Sequence, residues 1–128
     1  MNGLERWYHV MKEGDMEALY DLLHPDCVFI SPVVHTPQEG REITYAYLRA
    51  ANKALSEDFQ YVREVVQDNH AVLEFTVKVD GVFVNGVDII TFEGDQIVEL
   101  KVMVRPLKAV NAVWKQMGEM LEQLKAAS

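Results

Sequence analysis

Ala71-Val72-Leu73-Glu74-Phe75-Thr76-Val77-Lys78-Val79-Asp80-Gly81-Val82-Phe83-Val84-Asn85-Gly86-Val87-Asp88-Ile89-Ile90-Thr91-Phe92 is the stretch that decides the fold. Two apolar runs flank Asp80-Gly81, a dipeptide suited to a tight hairpin turn. Strand-like runs also lie on either side, Phe59 to Val66 before and Ile97 to Val104 after. Asp68-Asn69 and Glu93-Gly94-Asp95 supply the turns that join them. Four consecutive strands with short turns predict an antiparallel meander, and Pro106 ends its last strand.

The first half has a different period. Leu4, Trp7, Tyr8 and Met11 recur at helical spacing and predict a helix over about Leu4 to Lys12, broken by Glu13-Gly14. Asp15 has the form of an N-cap, with Ala18 at the third helical position and Leu19, Leu22 and Leu23 forming the next apolar stripe. Pro25 is expected to stop that helix. Cys27 to Ile30 reads as a short strand, and Pro32, Pro37 and Gly40 mark an irregular loop around His35. Arg41 to Ser56 is helical, with Ile43, Tyr47, Leu48, Ala51 and Leu55 on one side. Beyond Pro106 the stripe Val110, Val113, Trp114, Met117, Met120, Leu121 and Leu124 predicts a final helix. The expected fold class is α+β: a helix cluster on one curved antiparallel sheet, forming a cone with room for a small ligand.

Composition narrows the function. At 128 residues the chain suits one domain over 1–128, and 49% hydrophobic with 25% charged residues is a globular balance. Twenty acids against twelve bases give −8, with no basic stripe, so a nucleic-acid partner is not expected. No apolar run approaches the ~18 residues of a membrane span. The N-terminal residues lack the charged and apolar regions of a signal peptide, so a cytoplasmic location is expected. Cys27 is the lone cysteine, and His9, His24, His35 and His70 are scattered, so neither a metal nor any other cofactor is expected.

Asp88 is the sharpest chemical clue. A carboxylate amid Val84, Val87, Ile89 and Ile90 must be hydrogen-bonded, paired with a cation or held protonated. One reading makes it a pocket carboxyl of raised pKa that donates to a ligand carbonyl. The other makes it a structural carboxylate bonded to the Trp7 N–H, a tyrosine or a base. Arg105 bears on the choice. Strand alternation puts Ile97, Glu99, Lys101, Met103 and Arg105 on one face and Val98, Leu100, Val102 and Val104 on the other. The apolar set is the natural cavity wall, and Arg105 is expected to face outward unless a bulge near Pro106 turns it in.

The ordered segments resemble the nuclear-transport-factor-2-like superfamily, in particular its SnoaL-like and ketosteroid-isomerase-like branches. The resemblance is carried by Trp7, Glu13-Gly14-Asp15, Ala18-Leu19, Pro25-Asp26-Cys27-Val28-Phe29, Ser31-Pro32, Gly40 and the hairpin from Gly86 to Ile97. It implies a cystatin-like cone and leaves the activity open, because this fold hosts isomerases, cyclases, dehydratases, hydrolases and binders. Ketosteroid isomerases use a carboxylate base before a proline, a tyrosine on the first helix and a protonated aspartic acid on a late strand. By the resemblance, Ser31 stands at the base position, Trp7 near the tyrosine and Asp88 at the aspartic acid. One role of three survives, so the isomerase mechanism is not carried over. The Asp-Arg-Asp set of limonene-epoxide-hydrolase-like members meets Thr76, Lys78 and Val102 here, so that chemistry is not expected either.

The expected ligand-binding set is Asp88, Trp7, Ser31, Tyr47, Leu100 and Val102, with Asp88 as the best catalytic candidate. His35, between prolines, sits where a lid would be. The leading expectation is a homodimer that binds a small, largely apolar molecule around Asp88. The alternatives are a cofactor-independent isomerase, cyclase or dehydratase of a carbonyl compound, and a dimeric interaction module with a vestigial cavity. The last helix must cover its own sheet, the cavity mouth or a second subunit.

Overall fold

The computed structural model describes residues 2–127. The side chains of Leu124, Ala126 and Ala127 are outside that description, so Leu124, placed by sequence on the last apolar stripe, lies outside the described residues. The first half holds helices α1 (Gly3–Glu13) and α2 (Met16–Leu22), strands β1 (Leu23–Ile30) and β2 (Gln38–Glu39), and helix α3 (Arg41–Ala54). The second half holds strands β3 (Glu57–Gln67), β4 (His70–Val79), β5 (Val82–Glu93) and β6 (Gln96–Arg105), then helix α4 (Leu107–Ala127).

Short polar side chains start the first two helices. The Asn2 side chain accepts the Glu5 N–H at 2.8 Å while the Glu5 carboxylate accepts the Asn2 N–H at 3.3 Å, a reciprocal cap. Gly14 closes α1 with φ 65°, a left-handed conformation that glycine adopts without strain. Asp15 then caps α2 by accepting the Ala18 N–H at 3.1 Å, as the spacing predicts. The helix ends at Leu22 and runs directly into β1, so Pro25 lies within a strand instead of stopping the helix. Its missing N–H is tolerated because the pairing of β1 with β6 is irregular between Leu23 and Val28.

The strand order is β2-β1-β6-β5-β4-β3. β3 to β6 form the antiparallel meander read from the turn dipeptides. β1 joins its β6 edge in parallel, from Val28 opposite Glu99 to Ile30 opposite Lys101, and the two-residue β2 pairs antiparallel on its far side. A register shift after Thr91, which pairs with Glu99, puts Phe92 opposite Ile97. That irregularity moves Ile97 into the core, on the side that simple alternation gives to Val98.

Leu73, Phe75 and Val77 of β4, Val84 and Ile90 of β5, and Leu100 of β6 are buried on the sheet's inner face together with Trp7, Val10 and Leu19 from the helices. Each such side chain taken from water contributes about 1.5–3 kcal/mol. On α3 the buried side is Thr44, Leu48 and Ala50, and Ile43 is 39% exposed. The small Thr44, in place of Ile43, faces inward where α3 packs on β1. α4 packs on α3 and on β4, β5 and β6, burying Ala109, Val113 and Met117, whereas Trp114 is exposed. The last helix therefore covers its own domain.

Candidate active site

An interior cavity of about 60 Å³ lies between the sheet and the helices. Trp7 and Val10 of α1, Leu48 of α3, Phe75 of β4, Leu100 and Val102 of β6, and Met117 of α4 all contribute to its wall. The lining is overwhelmingly apolar, with Ser31, Asn52 and Asp88 as its polar members besides the Trp7 indole. Such a space holds about two waters as it stands, and a ketone-sized guest enters only as the flexible Met11, Met16 and Met117 side chains on its wall move aside.

Strand periodicity places Asp88. Along β5, Val84, Gly86, Asp88 and Ile90 point inward, and Asp88 is flanked across the sheet by Leu73 and Val102. Its residue is 6% exposed. Tyr61 of β3 donates its hydroxyl hydrogen to Asp88 Oδ2 at 2.7 Å. The Trp7 indole N–H in turn donates to the Tyr61 oxygen at 2.9 Å. Trp7 thus reaches Asp88 through Tyr61, not directly.

The neighbours hold this chain of hydrogen bonds in place. The Tyr61 ring meets Phe59 edge-on at 5.0 Å between centroids, and Phe59 stacks on Phe75 at 5.2 Å. Phe75 in turn lies over Gly86, its cross-strand partner. A Cβ there would come within 2.4 Å of the Phe75 ring and 2.9 Å of the Met103 carbonyl oxygen. Gly86 is what admits Phe75 beside Asp88.

Burial without a cation pushes the Asp88 carboxyl up from 3.8 to about 7, and the Tyr61 hydrogen bond, which favours the ionised form, offsets only part of that. Burial also raises the Tyr61 phenol well above its ordinary value, with the Asp88 charge adding to it, so Tyr61 stays protonated as a donor. Arg105 is exposed, as alternation predicts, and no arginine, lysine or histidine lines the cavity among the described residues. Asp88 Oδ1 takes no hydrogen bond among the described residues. Near neutral pH the group can donate a proton when protonated and accept one when ionised.

Of the residues singled out in the sequence, the fold brings Asp88, Trp7, Ser31, Leu100 and Val102 to the cavity. Ser31 accepts the Val33 N–H at 3.1 Å and has no adjacent base to activate it. Tyr47 is not a lining residue; its ring packs against Phe29 at 5.5 Å. His35 lies outside, in a shallow groove beside α4. Tyr61 is the residue that sequence reasoning did not single out. Its signal is weak but present, because Phe59 and Tyr61 alternate on one face of the strand, with the polar Asp58 and Gln60 beside them. No group of three or more metal-ligating side chains comes together among the described residues.

The model of the SnoaL-like domain matches residues 4–100. A steroid delta-isomerase from Pseudomonas aeruginosa is 35% identical, with 97% of this chain and 92% of that one covered at a TM-score of 0.92. An uncharacterised cystatin-like-fold protein from Silicibacter pomeroyi is 31% identical, with 91% and 83% covered at 0.84. An NTF2-like protein of unknown function from Burkholderia xenovorans, 19% identical with 85% and 88% covered at 0.65, shares the fold. No protein of curated function matches. With this cone, an inward carboxyl on its fifth strand and a match over most of its length, the chain belongs to the SnoaL-like domain family and has the nuclear-transport-factor-2-like fold.

Proposed function

We propose that the chain binds a small, largely apolar carbonyl compound in the cavity, with protonated Asp88 donating to the carbonyl oxygen. The observation that carries this reading is a buried carboxyl with one oxygen held by Tyr61 and the other without a protein partner in an apolar wall. A carbonyl oxygen supplies the missing acceptor, and the apolar wall supplies affinity by excluding water from the rest of the molecule. Trp7, Leu100 and Val102 form the contact surface, and Ser31 offers a second hydroxyl at the rim.

A second reading makes the same site an enzyme. The carboxyl held at about 7 favours it, as does the 35% identity to a steroid delta-isomerase. Asp88 itself would then move the proton, because Ser31 stands where a carboxylate base is expected from the resemblance.

Native mass spectrometry of the purified protein with denaturing release, followed by assays on Asp88→Asn, separates the two. Under the binding reading, a discrete small mass is released and the amide variant still binds it. Under the enzymatic reading, the variant binds but loses turnover. Release of no ligand, together with failure of apolar ketones to bind, contradicts both. The expected homodimer belongs to the same proposal. Val72, Phe83 and Met103 are 36%, 55% and 51% exposed on the sheet's outer face, an apolar surface suited to a second copy.

A further inference from the structure

The cavity needs a way in, and the structure assigns it to the seam between residues 31–35 and α4, with the shallow groove outside that seam as its vestibule. This inference rests on the binding reading above. The groove is lined by Val33, His35, Val110, Asn111 and Trp114, and it shares Ser31 and Pro32 with the cavity. On the helix side, Val113 and Met117 face the cavity while Val110 and Trp114, one helical row away, face the groove. The partition between the two spaces is thus one loop turn against one helix face.

That partition is cheaper to open than the sheet side. The sheet side of the cavity is closed by paired strands, and parting them breaks ladder hydrogen bonds. Across the seam, by contrast, no hydrogen bond or ion pair among the described residues joins residues 31–37 to α4. Trp114, 64% exposed, lays an aromatic surface on the groove that core packing does not explain. It suits an apolar molecule held briefly before passage, and His35 and Asn111 offer hydrogen bonds to that molecule's polar end. The ligand class that fits both spaces is an uncharged, slender carbonyl compound that is apolar along its length.

The test uses 4-phenylbutan-2-one as the probe and methionine methyl NMR as the readout. Met11, Met16 and Met117 line the cavity, whereas Met103 lies on the outer sheet face as an internal control. Asn111→Cys is labelled with a benzyl-sized thiol reagent, which finds Cys27 fully buried and therefore reacts at the exposed position. The expected result is that the label slows probe exchange at the cavity methyls at least tenfold and leaves the bound shifts unchanged. The same label on Gln67→Cys, exposed at the end of the sheet far from the seam, leaves the rate as it is. Exchange at the unlabelled rate in labelled Asn111→Cys overturns the route while leaving the binding reading intact. Absence of any cavity-methyl shift in the unlabelled protein overturns the binding reading and the route with it.

Discussion

Replacing Asp88 with asparagine should make the protein more stable at alkaline pH than the native chain, a reversal of the usual cost of removing a charge. The native carboxyl is raised from 3.8 to about 7 by burial. Between these values the folded state keeps a proton that the unfolded chain has released, so stability falls as pH rises. The cost is absent below about pH 4 and complete above about pH 7. At about 1.4 kcal/mol per pH unit the whole penalty is about 4 kcal/mol, of which about 2 kcal/mol develops between pH 5.5 and 8. Asparagine is close to isosteric, stays neutral, and its carbonyl can still accept from Tyr61. Urea denaturation of both proteins at the two pH values isolates Asp88, because every other titrating group is common to both. The stability difference should move by about 2 kcal/mol in favour of the variant on going to the higher pH. If the two proteins change in parallel, with the difference constant to within about 0.5 kcal/mol, Asp88 does not titrate as a buried unpaired acid and the reasoning fails.

Tyr61→Phe removes the donor that favours the ionised carboxyl, so the Asp88 midpoint should rise by about one to two pH units, read from its carboxyl carbon by NMR; an unchanged midpoint would show that the hydrogen bond is not made. Gly86→Ala drives a methyl into the Phe75 ring and the Met103 carbonyl, and should cost about 1–3 kcal/mol in urea denaturation, with a cost near zero arguing against the close approach. Met103→Glu should shift a homodimer toward monomer in analytical ultracentrifugation without loss of the fold; a variant that sediments as the native protein does removes the outer sheet face from the interface.

The meander was legible because each of its turns is written in adjacent residues, Asp80-Gly81 most clearly, with φ 51° and 76° at the two positions. Asp88 was legible for a similar reason, since a lone acid among β-branched residues needs a partner. The parallel pairing of β1 with β6 was not, because it joins residues about seventy apart with no local signal for direction. Ile97 was placed on the wrong face because one irregularity shifts the side-chain phase. Tyr61 is hidden in the sequence because β3 is an edge strand with Val62, Val65 and Val66 exposed, so apolar residues do not mark its inner face, and its register with β4 slips just after Tyr61. Tyr47 shares a helical face with Leu48 closely enough to look cavity-directed, yet Phe29 takes its ring.

The affinity of 4-phenylbutan-2-one for the native protein, measured from about pH 5 to 9, bears most directly on Asp88 as a protonated anchor. Affinity should be level below about pH 7 and fall about tenfold per unit above it, as the carboxyl loses the proton that it donates, while Asp88→Asn binds with no such fall. A native profile that stays flat, or the same decline in Asp88→Asn, would mean that the carbonyl is not held by that proton.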